Sequence, residues 1–540
     1  MRRIGLLSLL SSSLFLACNG GEDEADSLSV VTDLGTATVA APLDWPGIAA
    51  VPNLDDDDSD GEPDYDHALL YVGDDDYAEV SILAPQGFEL SVSGGSVRVW
   101  YEGEPILEEG TAAWSFGGRD EALVFQVEVG AYRASGTLSV LDKGTGQVLE
   151  VPITGAPLIL NHHIQPSELV MAVFFMSTGY NNTAMIEGYE AVLGDAFERV
   201  SGMKYNDPWL QDEIEFATSS APAGQLDVVI DSIRNGQYGP GYGLDDLPED
   251  EFEGPGWAVG TWGSGYATSQ DYFGNLEVIP PLTVGDVNYP YGRLYYGLNG
   301  SLSPNDSLRE MLDDQALQAP FTLDVSWLCV GHVDEFVTTV PAPGSRLGWK
   351  LVYSDVDLAW QVLEGMDPET ELTRYQSTSY KPWDTIGDML ADKALRSLNE
   401  ELKADYLAPN LDILKSELGL LDEDIILIPG LFEEVSGCGG TTAAAFPGMA
   451  NLIVANAPDG TPTLFVADPF LRTDTEDIAS DPMAAAFEAL MPGDLDVVFL
   501  DDWQVYHLML GEVHCGSNVV RSPDEAPSWW VDARHLLEAE

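Results

Sequence analysis

The sequence predicts a multi-domain α+β protein in which an all-β part, residues 28–156, precedes an α/β part, residues 157–540. The chain has 540 residues, which is enough for several domains with separate cores. Hydrophobic residues make up 45% of it, which excludes an intrinsically disordered chain. After the first part, the strand-like alternation of apolar residues gives way to strand-like runs that alternate with helical ones.

The N-terminal residues have the features of an export signal. Arg2 and Arg3 precede an apolar stretch, residues 4–17, that is too short to span a membrane. The stretch ends at Ala17 and Cys18 and is similar to a bacterial lipoprotein signal, whose cysteine is lipidated. We therefore predict a signal peptide at residues 1–17, lipidation at Cys18 and a tether at residues 18–27. The alternative is an ordinary secretory signal. Either one predicts an exported protein, anchored to the cell envelope on a side that the sequence leaves open, or secreted.

The charge balance restricts the partners. The chain has 22 Lys and Arg against 91 Asp and Glu, a net charge of −69. Such a chain repels nucleic acid and anionic lipid, so we predict no nucleic-acid partner and membrane contact only through the lipid anchor. Metal ions and basic peptides are the expected partners. A solvated acidic surface is an alternative cause of part of the excess.

The chain has four cysteines, and three remain after Cys18 is set aside: Cys329, Cys438 and Cys515. An odd number in an exported chain indicates at least one free thiol. A Cys329–Cys438 bridge is compatible with the sequence but is not established by it. No Cys or His spacing fits a zinc site, and no glycine-rich motif indicates nucleotide binding.

The all-β part contains an acidic loop. FQVEVGAYRASGTLSVL at 125–141 alternates as strands do, and the short turns around it favour a β-sandwich. The loop at 52–67 fits the pattern D-x-D-x-D-G-x-x-D, which predicts a calcium site because alternate carboxylates on a turn can converge on one cation. An EF-hand is excluded, since its last Glu and its helices are absent; a solvated acidic linker is the alternative. The residues of the pattern are Asp56, Asp58, Asp60, Gly61 and Asp64.

The α/β part contains strands and helices of ordinary length. Strand-like runs occur at 424–429, 450–456 and 494–500. Apolar residues at helical spacing predict a helix over 384–407, with Ile386, Ala394 and Leu402 on one face. A second helix is predicted over 412–420, and Gly419 is a suitable stop.

Four segments of this part are, in order, DPWLQDEIEFA (207–217), DYFGNLEVIPPLTVGDVNYPYGRLYYG (271–297), SWLCVGHVDEFVTTVPAP (326–343) and GEVHCGSNVVR (511–521). Together they resemble the protein-arginine deiminases, calcium-dependent enzymes that convert peptidyl arginine to citrulline. The resemblance implies a five-bladed α/β propeller (pentein fold) after an immunoglobulin-like sandwich. It also implies hydrolysis of the guanidinium of protein arginine to citrulline and ammonia through a covalent thiouronium intermediate.

The resemblance implies roles for single residues. Cys515 matches the nucleophile, His332 the general acid and base, and Asp212 and Asp334 the carboxylates that hold the guanidinium. Trp209 and Arg234 match substrate-binding residues. We place His332 and Asp334 two apart on a strand, where their side chains share a face. By the same argument His514 faces away from Cys515 and is structural.

The resemblance also implies calcium ligands, all of them oxygen donors. One set comprises Gln211, Glu215 and Glu277 with the backbone carbonyls of Phe273 and Leu276. A second comprises Glu213, Asp231, Ser232 and Asn235. In the first half, Asn53, Asp55 and Asp57 are similar to a calcium loop of the family.

Two positions depart from the vertebrate pattern, because Gly236 and Met509 stand where substrate-contacting arginines are expected. Peptide recognition is therefore open, and a deiminase of free arginine or agmatine is an alternative. A non-catalytic calcium-binding surface lipoprotein is a second alternative.

Overall fold

The computed structural model describes residues 28–66, 76–177, 179–234, 243–378, 381–522 and 528–537. The predicted signal peptide, the tether with Cys18, Asn235 and Gly236 lie outside these residues. Within them, no helix combines the length and the apolar character that crossing a bilayer requires.

The first part folds as two β-sheets packed face to face. All neighbouring strands in the six-stranded sheet run antiparallel. In spatial order its strands are Gly35–Thr38, Ser29–Thr32, Tyr77–Leu83, Leu123–Val129, Val97–Tyr101 and Glu104–Glu108. The five-stranded sheet has one parallel pair, at its Ile48–Ala50 edge. Its strands are Ile48–Ala50, Val148–Gly155, Ser135–Asp142, Phe88–Ser93 and Trp114–Phe116.

Period-two alternation explains how these sheets pack. Along Tyr77–Leu83 the residues Ala78, Val80 and Ile82 are buried, while their neighbours are more exposed. Their side chains belong to one apolar core together with Leu90 and Leu138 of the second sheet. Side chains in a strand point alternately to the two faces, so each sheet turns one apolar face to the other. The family-level description of this part as immunoglobulin-like stays a prediction.

The second part contains five sheets of three or four strands with one repeated pattern. In each, a central strand pairs antiparallel with one neighbour and parallel with the other. With the central strand printed second, four of the sheets are Ile214–Ala221, Gly224–Asp231 and Trp257–Thr261; Leu276–Ile279, Arg293–Leu298 and Phe321–Asp324; Val337–Pro341, Trp349–Asp355 and Ile425–Pro429; and Ile453–Asn456, Pro462–Ala467 and Asp496–Leu500. A short strand, Ile159–Leu160, extends the first of them.

The fifth sheet joins early and late segments of this part. Its central strand, Ser167–Phe174, pairs parallel with Phe197–Ser201 and antiparallel with Ser517–Arg521. Three small hairpins accompany the sheets: Met176–Ser177 with Tyr180–Asn181, Leu282–Val284 with Val287–Tyr289, and Phe432–Glu434 with Thr442–Ala444. The late segment that contains Cys515 is thereby held against strands that begin the second part.

Helices cover the sheets of the second part. The α-helices are Thr183–Leu193, Gly202–Tyr205, Leu210–Glu213, Leu247–Glu251, Asp306–Gln315, Val356–Glu364, Thr373–Gln376, Ile386–Ala391, Lys393–Leu402, Ala408–Leu418, Pro482–Leu490, Trp529–Asp532 and Arg534–Leu537. A π-helical turn, Lys403–Leu407, links two of them. The 3₁₀ turns are Asp64–Asp66, Gly194–Ala196, Ser269–Asp271, Phe273–Asn275, Val333–Glu335, Asp422–Asp424, Ile478–Ser480 and His507–Met509.

The predicted strands at 424–429, 450–456 and 494–500 are present, as Ile425–Pro429, Ile453–Asn456 and Asp496–Leu500. The helix Ala408–Leu418 ends at Gly419, as predicted, because that glycine has a left-handed φ of 61°. The single helix over 384–407 was wrong, since the chain breaks it at Asp392. That aspartate caps a new helix by accepting hydrogen bonds from two backbone N–H groups. The second helix turns Ala394 outward and buries Leu395.

The two parts are in contact. Ala49 and Val51 of the first part belong to an apolar core with Leu226, Leu276 and Trp529 of the second. The Gly256 backbone N–H donates a 2.6 Å hydrogen bond to Asp55 Oδ2 across the same junction. The acidic loop of the first part is therefore attached directly to the second.

A disulfide bond joins Cys329 to Cys438, which are 109 positions apart in the sequence. The Cys329 backbone N–H also donates a 2.8 Å bond to the Thr442 carbonyl. Cys515 is the free cysteine of the described residues. The bridge connects the segment before His332 to the hairpin Phe432–Glu434 with Thr442–Ala444.

Reduction of this bridge should lower the free energy of unfolding. A bridge that closes a loop of about 100 residues stabilises a protein by about 2–4 kcal/mol, mainly by restricting the unfolded chain. Urea denaturation of the wild-type protein with and without dithiothreitol should show a loss of that order. The double variant Cys329→Ser, Cys438→Ser should match the reduced protein and ignore the reductant. Identical curves for all four samples would contradict the prediction.

Candidate functional site

The predicted catalytic residues lie at equivalent places in the repeated sheets. Asp212 precedes the strand Ile214–Ala221 by two residues, and Cys515 precedes Ser517–Arg521 by two. Asp334 precedes Val337–Pro341 by three, in the 3₁₀ turn Val333–Glu335. Each of these strands pairs antiparallel with the central strand of its sheet. The repeated connection therefore brings side chains from distant parts of the sequence to one place.

Gly274 leaves a space that three of these side chains border. A Cβ atom at this glycine would lie 2.7 Å from His332 Nδ1 and 3.1 Å from both Asp212 Oδ1 and Asp334 Oδ2. Among the described residues, Asp212 Oδ1, Asp334 Oδ1 and His332 Nδ1 are buried without a hydrogen-bond partner. We call this space the Gly274 cradle. Buried acceptors without partners are costly, so the cradle suits a ligand that carries several N–H donors.

The tautomer of His332 follows from its surroundings. Its Nε2 lies 2.8 Å from the backbone carbonyl of Ser269, which can only accept. Nε2 therefore carries the proton and donates it to that carbonyl, which leaves Nδ1 facing the cradle. Nδ1 is 3.6 Å from Asp212 Oδ1. The free nitrogen is thus placed to exchange a proton with a ligand in the cradle.

Cys515 borders the same space and is 5% exposed. Its Sγ lies 3.5 Å from Asp334 Oδ2 and 3.2 Å from Asn451 Nδ2. Burial raises the pKa of the Cys515 thiol, and the charges of Asp334 and Asp212 raise it further. Without a cation nearby, the thiol is therefore held in its protonated form.

Burial also acts on the carboxylates. It raises the pKa of Asp212 to about 6, against the opposing influence of His332 and Arg234. It raises the pKa of Glu335, whose Oε1 accepts hydrogen bonds from the backbone N–H groups of Gly331 and His332. Perturbed carboxylates at a buried place are typical of binding and catalytic sites.

The strand assignment of His332 and Asp334 was wrong. His332 is the extended residue before the turn Val333–Glu335, and Asp334 lies inside that turn. The placement of His514 away from the site was also wrong, because His514 precedes the strand instead of lying in it. Its Nδ1 is 2.8 Å from Asp334 Oδ2, the oxygen that also faces Cys515. Its Nε2 is 3.5 Å from Glu277 Oε1.

Trp209 and Arg234, the predicted substrate-binding residues, occupy different positions. Trp209 lies against Gly511, where an added Cβ would be 2.4 Å from its ring and 3.2 Å from Cys515 Cβ. Arg234 is 4% exposed and pairs with Asp207 at 2.7 Å and Glu213 at 2.5 Å. These two carboxylates outweigh the effect of burial and raise the pKa of Arg234. Its guanidinium is engaged inside the protein, so its substrate-binding role stays a prediction.

The first predicted set of calcium ligands is largely brought together. Gln211 Nε2 lies 2.8 Å from Glu215 Oε2 and 3.4 Å from the Phe273 carbonyl. Glu277 Oε1 is buried without a hydrogen-bond partner among the described residues, and the same small cavity contains Gln211, Glu215 and Glu277. Burial raises the pKa of Glu215 to about 8 and that of Glu277 as well. Leu276 begins the strand that contains Glu277. These acceptors fit a hard cation, which would relieve their burial.

The second set is assembled around Arg234. Glu213 Oε1 and Asp231 Oδ1 are buried without partners among the described residues. Ser232 is adjacent, since its backbone N–H donates to the Glu213 carbonyl at 2.9 Å. Burial raises the pKa of Asp231 to about 7 and that of Glu213 as well. The oxygens fit a cation, while Arg234 now compensates the charge of Glu213.

The acidic loop also forms a group that could hold a metal ion. One carboxylate oxygen each from Asp56, Asp58 and Asp64 lies within 4.8 Å of the others. Gly61 has φ of 88°, the left-handed conformation that the pattern requires of a glycine. Asp60 is not in this group; its backbone N–H donates to Asp56 Oδ1 and Asp58 Oδ1.

The three residues matched to the family loop are placed differently. The Asp57 backbone N–H donates to Asp64 Oδ2 at 2.8 Å. Asn53 donates through Nδ2 to Glu128 Oε1 at 2.8 Å. Asp55 accepts the bond from Gly256, and burial raises its pKa. None of the three belongs to the group of Asp56, Asp58 and Asp64 in the described part of the chain.

Comparison with known proteins places this geometry in a family. The protein-arginine deiminase family model matches residues 149–531, which include every residue that borders the Gly274 cradle.

The chain belongs to the protein-arginine deiminase family.

Its curated relatives carry the family name. The rat protein-arginine deiminase type-4 is 34% identical over 416 residues, which cover 73% of this chain and 59% of the relative. The human type-4 protein is 36% identical over 338 residues, 60% of this chain and 48% of the relative. The human type-1 protein is 32% identical over 396 residues, 69% of this chain and 56% of the relative. The chain thus spans about half to three-fifths of the length of the relatives it matches.

Sequence reasoning missed several residues of this deiminase-family site. Gly274 shapes the cradle, Ser269 fixes the His332 tautomer and Asn451 contacts Cys515. Asn451 is two residues before the strand Ile453–Asn456. A search for polar residues two positions before each predicted outer strand could have found it.

The raised pKa of Glu215 has a measurable consequence for stability. The folded chain keeps this proton up to about pH 8, whereas the unfolded chain releases it near the ordinary value of 4.5. Stability contributed by the protonated group is therefore lost as pH rises through this window. In EDTA, Glu215→Gln should gain up to about 1.4 kcal/mol relative to wild type per pH unit between pH 5 and 8. Urea denaturation at several pH values measures this.

The control is Glu488→Gln, which changes an exposed carboxylate in the helix Pro482–Leu490. It should follow the wild-type pH dependence. A constant difference between Glu215→Gln and wild type across this range would show that Glu215 is ionised in the folded protein.

Proposed function

We propose that this chain is a calcium-dependent protein-arginine deiminase that hydrolyses the guanidinium of arginine residues to a urea group and ammonia. The observation that carries the proposal is the Gly274 cradle. Two carboxylates and an imidazole nitrogen border one space beside the free thiol of Cys515. A guanidinium is a planar cation with N–H donors, and paired carboxylates can fix both its charge and its plane.

The charges at the site favour reaction only when a cation is bound. The thiol of Cys515 has a raised pKa because Asp334 and Asp212 surround it in a buried place. A guanidinium bound between those carboxylates compensates their charge and so favours the thiolate, which is the nucleophile. Substrate binding and activation of the nucleophile are coupled in this way.

The first half-reaction forms a bond from Cys515 Sγ to the guanidinium carbon and gives a neutral tetrahedral adduct. Protonated His332 transfers its Nδ1 proton to one nitrogen of the adduct. The C–N bond then breaks, ammonia leaves, and a cationic thiouronium remains on the thiol. Asp212 and Asp334 stabilise the positive charge of this intermediate, as they did that of the substrate.

The second half-reaction consumes water. Neutral His332 takes a proton from the water molecule as its oxygen bonds to the thiouronium carbon. The C–S bond breaks, the Cys515 thiolate is regenerated, and the remaining hydroxyl proton goes to ammonia. The products are the citrulline side chain and ammonium, and His332 returns to its protonated form.

Calcium is the cation that suits the two oxygen sets of the second part and the acidic loop. Gln211, Glu215, Glu277 and the carbonyls of Phe273 and Leu276 would hold one ion, and Glu213, Asp231, Ser232 and Asn235 another. Bound calcium would supply fixed positive charge beside Asp212, which lies between Gln211 and Glu213. The loop residues Asp56, Asp58 and Asp64 would hold a further ion.

The repeated sheets support a finer description of the fold. We propose that residues 157–540 form a five-bladed α/β propeller of the pentein type and residues 28–156 an immunoglobulin-like domain. The common strand pattern and the pairing of an early with a late strand support the propeller. The two facing sheets support the sandwich.

A deiminase of free arginine or agmatine is the second candidate. The observation that favours it is Arg234, which pairs with Asp207 and Glu213 and so does not extend toward a peptide backbone. Against it, the net charge of −69 favours basic protein substrates and disfavours the carboxylate of free arginine.

The proposed setting is the bacterial cell envelope, with the protein lipid-anchored through Cys18 or secreted. The Cys329–Cys438 bridge supports an exported protein, because disulfides persist in oxidising compartments. Basic, arginine-containing proteins are the proposed partners.

The function is tested by citrulline release from benzoyl-arginine ethyl ester and from free arginine, with calcium and with chelator. We expect calcium-dependent product from the blocked ester and a loss of at least about 1,000-fold in Cys515→Ala. Product from free arginine alone would favour the second candidate. Absence of product from every substrate at millimolar calcium would contradict both and leave a non-catalytic calcium-binding lipoprotein.

Gly274→Ala tests the cradle directly. The added methyl group would occupy the space between His332, Asp212 and Asp334, so kcat/KM should fall by at least about 100-fold. The control is Gly387→Ala, whose Cβ would lie 2.9 Å from the Pro368 carbonyl in a helix. This variant should keep its activity. Equal activity of both variants would show that the guanidinium binds elsewhere.

A further inference from the structure

Asn451 lies against the proposed nucleophile and has no role in the mechanism above. It is 1% exposed and precedes the strand Ile453–Asn456 in the fourth of the repeated sheets. Its position matches those of Asp212, Gly274 and Cys515, each two residues before the corresponding strand of its own sheet. With Asp334, each of the five sheets contributes one such residue. Asn451 is the neutral side chain of this ring.

The orientation of the Asn451 carboxamide is fixed by two backbone donors. Its Oδ1 accepts hydrogen bonds from the N–H of His514 at 2.9 Å and from the N–H of Cys515 at 3.2 Å. An amide nitrogen in that place would face two donors, so the flipped orientation is excluded. The Nδ2 group therefore points to Cys515 Sγ, at 3.2 Å.

This arrangement places a donor among carboxylates. Asp334 Oδ2 lies 3.5 Å from the same sulfur and repels its negative charge. The backbone N–H of Glu512 favours the thiolate. Among the described residues, Asn451 is the side chain that donates to Cys515 Sγ. Hydrogen bonds to a charged sulfur stabilise it more than they stabilise a neutral thiol.

A second contact network holds Asn451 itself. The backbone N–H of His514 also lies 3.2 Å from the Asn451 carbonyl, and Nδ2 lies 3.4 Å from the Asp334 carbonyl. The residue thus connects the segment that contains Cys515 to the turn that contains Asp334.

We propose that Asn451 is a positioning residue for Cys515, which holds the backbone of the nucleophile through Oδ1 and stabilises its thiolate through Nδ2. This inference rests on the proposed function, since it assigns Cys515 as the nucleophile. It predicts that the ionisation of the thiol depends on a neutral amide that never contacts the substrate.

The test measures the rate at which iodoacetamide alkylates Cys515 between pH 6 and 10, with mass spectrometry to assign the modified peptide. Asn451→Asp keeps an acceptor for the two N–H groups, loses the donor and adds a carboxylate. Asn451→Ala removes both interactions. We expect the midpoint of the pH profile to rise in both variants and the rate at pH 8 to fall by about 10-fold or more. Citrulline release should fall in parallel.

Asn410→Ala is the matched control. Asn410 is also 1% exposed, and it binds the backbone N–H and carbonyl of Asp324 at 2.9 and 2.8 Å. Its loss should lower stability and leave the alkylation profile unchanged. Thermal denaturation of each variant shows whether it is folded at the assay temperature.

Wild-type alkylation profiles in folded Asn451→Asp and Asn451→Ala would overturn the proposal, as would an equal shift in Asn410→Ala. The alkylation profile does not depend on turnover. If the wild-type protein releases no citrulline from any substrate, the proposed function fails while the profile still tests the contact between Asn451 and Cys515.

Discussion

The accumulation of buried carboxylates around one thiol is the constraint on which the rest of the site depends. Asp212, Asp334, Glu335 and Glu277 are all withdrawn from water, and their charges are close together. Burial of a charge without a partner is costly, so such groups either keep a proton or acquire a cation. The site is therefore complementary to positive charge before any ligand is specified.

The same constraint connects the cradle to the predicted metal ligands. His514 lies between Asp334 and Glu277, at 2.8 Å from one and 3.5 Å from the other. Glu213 belongs to a predicted metal set and pairs with Arg234, while the adjacent Asp212 borders the cradle. A change of charge on either side reaches the other through one intervening side chain. The geometry thus gives a physical route by which a metal ion can affect the catalytic carboxylates.

The sequence allowed the nucleophile, the imidazole and both carboxylates to be identified, because long ordered segments carry them. It did not allow their local structure to be predicted. His332 and Asp334 lie at a turn of three residues, too short for periodicity to detect, and Arg234 is held by Asp207, whose partner no spacing indicates. The break at Asp392 depended on a cap that competes with helical continuation. Gly274 contributes an absence of side chain, which only the neighbouring atoms make meaningful.

The pairing of Ser167–Phe174 with Ser517–Arg521 has a consequence for biosynthesis. The ribosome makes the chain from its amino end, so Cys515 is the last of the five ring residues to be produced. The strand that fixes this thiol in place follows it directly. Until that strand has emerged and paired, the early strand Ser167–Phe174 has an open edge and the acidic ring has no nucleophile. The chain therefore cannot acquire this chemistry before its translation is almost finished, which protects the cell's own basic proteins from a partly made enzyme.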